Sequence, residues 1–175
     1  MTCLRTILLV AVVMIGAAFA QEPFVFGNGK VSVLIPDKFN RMPKEMVDQK
    51  YPRGTAPEYV FSNAKTTVSI AASYKPGADL SLAQLPQFKE YIEKTFERNV
   101  AGLRWITREF AEINGRRWIH LEFQSNALDT EIINCVFMTA LDNGLVTLNF
   151  NATVGDYPGY KATLQQSQRS IRVKE

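Results

Sequence analysis

Soft metal ligands are scarce in this 175-residue chain, which has two cysteines, Cys3 and Cys135, and one histidine, His120. So few donors argue against the usual structural zinc sites, which take four Cys and His ligands. No run of basic residues exceeds two and the formal net charge is only +3. That excludes disorder driven by charge repulsion and leaves no footprint for a dedicated nucleic-acid binder. Beyond residue 20 no stretch approaches the ~18 apolar residues of a membrane span. The chemical motifs are missing as well. There is no Gly-x-Ser-x-Gly elbow and no Asp-x-Asp-x-Asp-Gly calcium loop, and Gly27-Asn28-Gly29 is too short for a phosphate loop and precedes a strand. No internal repeat or low-complexity tract is visible.

What is present begins with a leader. Arg5 precedes an apolar stretch from Ile7 to Phe19, and Ala18-Phe19-Ala20 forms an A-x-A cleavage site before Gln21. The expectation is a signal peptide over 1–20, cleaved after Ala20, and one domain over 21–175 in the periplasm or secreted. Cys3 lies inside the charged leader and not at the cleavage point, so no lipid anchor is expected. Cys135 is then the one thiol left, unable to form an internal disulfide, and its strand-like setting Ile132-Ile-Asn-Cys-Val-Phe-Met138 reads as a buried, inert thiol.

The rest of the chain divides by periodicity and breakers. Lys30–Ile35 reads as a strand closed by Pro36, and 36–57 is broken by prolines 36, 43, 52 and 57, with a short helix between Pro43 and Tyr51. Strands follow at Glu58–Ser62 and Thr66–Tyr74. Ser81 with Gln84 makes a capping box for a long helix. Along it Leu85, Phe88, Tyr91, Ile92, Phe96, Val100 and Leu103 recur at three- and four-residue steps, and Gly102 ends it. Asn114-Gly115 and Asn143-Gly144 suit type I′ turns, so Leu103–Ile113 pairs with Arg116–Gln124, and Thr130–Leu141 with Leu145–Val154. Asp156 caps a final helix with Tyr157, Tyr160, Leu164 and Ile171 on one face. The fold class is α+β: a single domain with a central antiparallel sheet of about six to seven strands, sandwiched between a long central helix, a C-terminal helix and a short helix.

Tight turns also fix which residues oppose one another. In the second hairpin the assumed turn sets Phe137 against Phe150, Cys135 against Ala152 and Thr139 against Leu148, giving an apolar core face. In the first, Phe110, Ile119, Leu121 and Phe123 share one side. The other pairs Ala111 with Trp118, Glu109 with His120, Thr107 with Glu122 and Trp105 with Gln124, gathering both tryptophans, two carboxylates and the imidazole. Two readings follow for Glu109 and His120: a base with its orienting carboxylate, or a cross-strand ion pair flanked by packed tryptophans. In the 36–57 segment, Met42 and Met46 with Phe39, Val47 and Tyr51 either touch a ligand or partner or cover the core.

The order strand, short helix, two strands, long helix, four strands, helix resembles the PsbP-like superfamily, which includes DcrB-like envelope proteins and a Ran-binding import factor. The resemblance rests on Val31-Ser-Val-Leu-Ile-Pro36 with Phe39, on Ile113-Asn-Gly115 before Trp118-Ile-His-Leu-Glu-Phe123, and on Asn143-Gly144 before Leu148-Asn-Phe150. It implies a central antiparallel sheet between helices and no shared reaction. The chain departs from DcrB-like members in lacking a lipobox cysteine.

The functional expectation is an exported, non-catalytic protein with no cofactor or metal and no nucleic-acid partner. It would bind another protein through Trp105, Glu109, Trp118, His120, Glu122, Met42 and Met46. Three alternatives stand beside it: an immunity protein against a periplasm-delivered toxin, a hydrolase using Glu109 and His120, and a small-molecule carrier.

Overall fold

Left-handed backbone at Asn114 and Gly115 (φ 52° and 77°) reverses the chain between two long antiparallel strands. They stand in a computed structural model that describes residues 22–51, 56–127 and 130–174; the expected signal peptide lies outside the described residues. In chain order the elements are β1 (Phe24–Phe26), β2 (Val31–Val33), β3 (Asn40–Arg41), α1 (Lys44–Lys50), β4 (Tyr59–Ser62) and β5 (Val68–Lys75). Then come α2 (Leu85–Asn99), β6 (Arg104–Ile113), β7 (Arg116–Asn126), β8 (Glu131–Leu141), β9 (Gly144–Thr153), α3 (Tyr157–Arg169) and β10 (Arg172–Val173). The domain is α+β as expected: a seven-stranded antiparallel sheet in the order β3-β4-β5-β9-β8-β7-β6, and a three-stranded one in the order β1-β2-β10.

The strand predicted at Lys30–Ile35 is β2 and belongs to the small sheet, where Gly27, Asn28 and Gly29, all left-handed, join it to β1. Helix α2 starts as predicted. A 3-10 turn over Leu82–Gln84 precedes it, and the Ser81 N–H donates to the Gln84 side-chain carbonyl at 2.8 Å. Leu85 is fully buried, and Phe88, Ile92 and Phe96 pack on Ile119, Leu121, Phe123, Val136 and Met138. Tyr91, expected in this stripe, is instead 59% exposed, at its flank. Helix α1 lies on the same sheet face. There Val47 and Tyr51 pack on Met42, Val60 and Ala71, and Val60 and Ala71 continue across the strands to Asn149 and Val136. Helix α3 and the small sheet cover the opposite face, where Trp118, Phe137, Leu148 and Phe150 meet Leu164, Ile171, Val31 and Val33.

Two pairings differ from expectation. The β8–β9 turn is Asp142-Asn143 (φ 47° and 56°), one residue earlier than expected, so Leu141 pairs with Gly144, Phe137 with Leu148 and Cys135 with Phe150. Asp and Asn both tolerate the left-handed region. Gly144 serves another purpose: a Cβ there would sit 2.7 Å from both the Lys75 carbonyl oxygen and the Tyr74 ring, so its hydrogen lets β5 approach β9. Because the turn moved by one residue, every pairing moved by two, and no side chain changed face. The β6–β7 register is as expected from Thr107 to Ile113, but a bulge at Ile106 interrupts it. Trp105 therefore lies opposite Phe123, and not opposite Gln124.

Candidate functional site

Strand alternation builds the site. On β7, Trp118, His120 and Glu122 point to the α3 face. Glu109 stands opposite His120 on β6, and Cys135 stands opposite Glu122 on β8. From α3, the Tyr157 hydroxyl donates to Glu122 Oε1 at 2.9 Å and the Gln168 amide donates to Cys135 Sγ at 3.4 Å. The imidazole stacks on Phe137, with ring centroids 4.6 Å apart and planes 1° from parallel. Its Nδ1 is 3.4 Å from Glu109 Oε1, and its Nε2 is 3.3 Å from Cys135 Sγ. Beside His120 a groove of about 420 Å³ opens to solvent, lined by Ala111, Ile113, Phe137, Gln168 and Arg169 among others.

A carboxylate can only accept, so the ring proton belongs on Nδ1 facing Glu109, and Nε2 then accepts from the thiol. Carboxylate, imidazole and thiol in that order resemble a nucleophile with its base and orienter. The surroundings work against activation. Cys135 is only 5% exposed; burial, and after it the negative charge of Glu122, pushes its thiol pKa well above the ordinary value. Tyr157 is likewise pushed up, first by burial and then by its bond to Glu122. The chain thus holds a protonated thiol in place and does not expose a thiolate.

The seven residues singled out from sequence separate into three groups. Glu109, His120 and Glu122 share the α3 face as expected. Trp118 shares it too but is fully buried, with its indole N–H unpartnered, so it anchors the core and presents nothing to a partner. The grouping of Trp105 with them is corrected: the bulge turns it to the α2 face, where it packs against Phe96 and Phe123 and its indole N–H donates to Glu97 at 3.3 Å. Met42 is buried against Val60 and Ala71, while Met46 is 38% exposed, so the two do not form one apolar pocket. Cys135, Tyr157 and Gln168 escaped sequence reasoning as members of the site. Parity placed Cys135 on a core face, but no two-residue turn joins β7 to β8, so nothing fixed its position against His120.

No protein-family model matches the sequence, and no curated protein sequence is similar to it. Solved structures are similar in fold. PsbP (CyanoP) from Synechocystis sp. PCC 6803 superposes with a TM-score of 0.60 at 13% identity, over 93% of this chain and 99% of that one. LpqN of Mycobacterium tuberculosis, involved in cell envelope biogenesis, gives 0.57 at 14%, over 88% and 90%. The Saccharomyces cerevisiae Ran-binding protein Mog1p gives 0.52 at 15%, over 87% and 94%. The resemblance to the PsbP-like superfamily therefore holds at the level of the fold. Among the described residues no helix is long and apolar enough to cross a membrane.

Proposed function

We propose that this chain is an exported accessory protein that works by binding an extended segment of another protein, without a reaction of its own. The observation that carries this reading is Ile106. Strand β6 ends the seven-stranded sheet, so one side of its backbone has no strand partner among the described residues, and the bulge turns Ile106 out at 54% exposure. Exposed sheet edges take up extended segments of partners by strand addition. Arg104, Arg108, Glu109 and Glu112 line the same strand, and such charges repel unmatched strands while admitting one of complementary pattern. That Mog1p is a Ran-binding protein and LpqN is involved in cell envelope biogenesis is in keeping with this reading. So is the leader, whose removal would leave a protein beginning at Gln21, a start that N-terminal sequencing of the exported fraction checks.

The test places a photo-crosslinking amino acid at position 106 in cells, with exposed Lys65 as the control position. One defined adduct at 106 and none at 65 is expected, and Ile106→Asp should weaken capture of that partner at least tenfold. Equal labelling at both positions, or none at 106, overturns the reading. A toxin as the captured partner would sharpen it to immunity.

A further inference from the structure

We propose that His120 Nε2, Glu122 and Cys135 Sγ form a three-ligand site for a zinc-class divalent metal ion. The donor atoms all lie within 4.8 Å of one another, and Nε2 and Sγ are 3.3 Å apart. Bond lengths of about 2.0–2.3 Å to zinc put tetrahedral ligand atoms roughly 3.3–3.8 Å from one another, so modest side-chain rotation closes the set. The arrangement follows from the sheet. His-x-Glu on one strand sets both groups on one face, and Cys135 on the neighbouring strand stands directly across from Glu122. Imidazole, thiolate and carboxylate together suit zinc and disfavour magnesium or calcium, which take oxygen donors.

The independent observation is the outer shell. Glu109 faces Nδ1 of His120, the Tyr157 hydroxyl donates to Glu122, and the Gln168 amide donates to Cys135. Each of the three donors thus has its own orienting group, and a carboxylate behind a histidine is a recurrent support for zinc ligands. The groove beside His120 opens the imidazole side of the set to solvent. On binding, the Cys135 S–H bond breaks, its proton leaves to solvent, and the sulfur lone pair forms the metal–sulfur bond. Three protein ligands leave the fourth position to water or to a group from outside the chain.

The experiment titrates the chelator-treated full chain with Co²⁺ and then Zn²⁺. One equivalent of Co²⁺ should bind with a near-ultraviolet sulfur-to-cobalt charge-transfer band, and one equivalent of Zn²⁺ should displace it. Cys135→Ser should abolish the band and weaken zinc binding at least 100-fold. Glu109→Gln, whose side chain is 63% exposed and outside the core, should weaken zinc 10- to 100-fold at unchanged melting temperature. The absence of a band, or one-equivalent zinc binding that Cys135→Ser leaves within threefold, overturns the site. Should Cys135→Ser fail to fold, Glu109→Gln decides, and unchanged zinc affinity there overturns it.

Discussion

The two faces of the seven-stranded sheet are built differently. Under α3 and the small sheet the buried apolar side chains form one continuous cluster, from Val31 and Ile171 through Trp118 and Phe137 to Phe150 and Val68. Under α1 and α2 the apolar surface splits into two clusters, one around Leu121 and one around Val60. Asn149 stands between them in the cross-strand row Val60, Ala71, Asn149, Val136 and Leu121, and a polar row of successive partners, Ser62, Ser69, Asn151 and Asn134, runs alongside both. The side-chain oxygens of Asn149 and Asn151 are buried without a hydrogen bond, and the Lys50 ammonium donates to Ser69 Oγ at 3.0 Å. Buried polar groups cost free energy unless fully paired. The difference teaches where stability resides: a continuous apolar face transmits the loss of any member, while a divided one confines it.

The largest expected effect tests that contrast with two substitutions of one class. Leu148, fully buried on the α3 face, should cost about 4–5 kcal/mol when changed to Ala, and Met42 about 2 kcal/mol, within the usual range of about 2–5 for such truncations. Urea unfolding of both variants checks it, and equal losses would erase the distinction between the faces. Next, Gly144→Ala forces a methyl against the Lys75 carbonyl and the Tyr74 ring, and should cost about 1–3 kcal/mol by the same assay. Deletion of Ile106 sharpens the account of the bulge. It should cost no more than about 1 kcal/mol, because Trp105 already lies opposite Phe123 and keeps its packing. Unchanged Trp105 fluorescence in a Trp118→Phe background would show this, whereas a red shift would count against it.

The smallest effect concerns Lys50, whose pKa burial lowers from 10.5 with no carboxylate to offset it. The folded state therefore releases this proton before the unfolded chain does. Where pH lies between the two values the unfolded chain holds more protons, so this group adds stability as pH climbs towards 10.5. Lys50→Met should remove that rise, read as the difference between parent and variant stability curves from pH 8 to 10.5. Parallel curves would mean the ammonium is better solvated than its place beside Ser69 suggests.

Much of this was legible before any coordinates. Alternation along β7, β8 and β9 set the faces, and Asn114-Gly115 set one register, so Glu109, His120 and Glu122 came together on paper. Four kinds of feature were not legible. Asp142-Asn143-Gly144 offers two adjacent dipeptides that suit a tight reversal, and the choice between them depends on β5, a distant strand that needs the bare Cα of Gly144. A bulge leaves no mark in Trp105-Ile106-Thr107, since the indole it places packs against Phe96 of α2 and Phe123 of β7, both remote in sequence. Strands as short as β1, β3 and β10 carry too few residues for a period to show. The Cys135 contact with His120 belongs with these. It depends on how two hairpins meet across a connection that has no tight turn.

The small sheet has a consequence for the order in which the molecule can be completed. Its middle strand needs β10; the Leu34 N–H donates to Ser170 Oγ across 136 positions, and the Lys174 N–H donates to the Lys30 carbonyl at 2.8 Å. Until residues 157–174 have emerged from the ribosome, the face with the largest apolar cluster lacks the part of its cover that Leu164 and Ile171 supply. Helix α3 and β10 thus act as a clasp on the strands made before them.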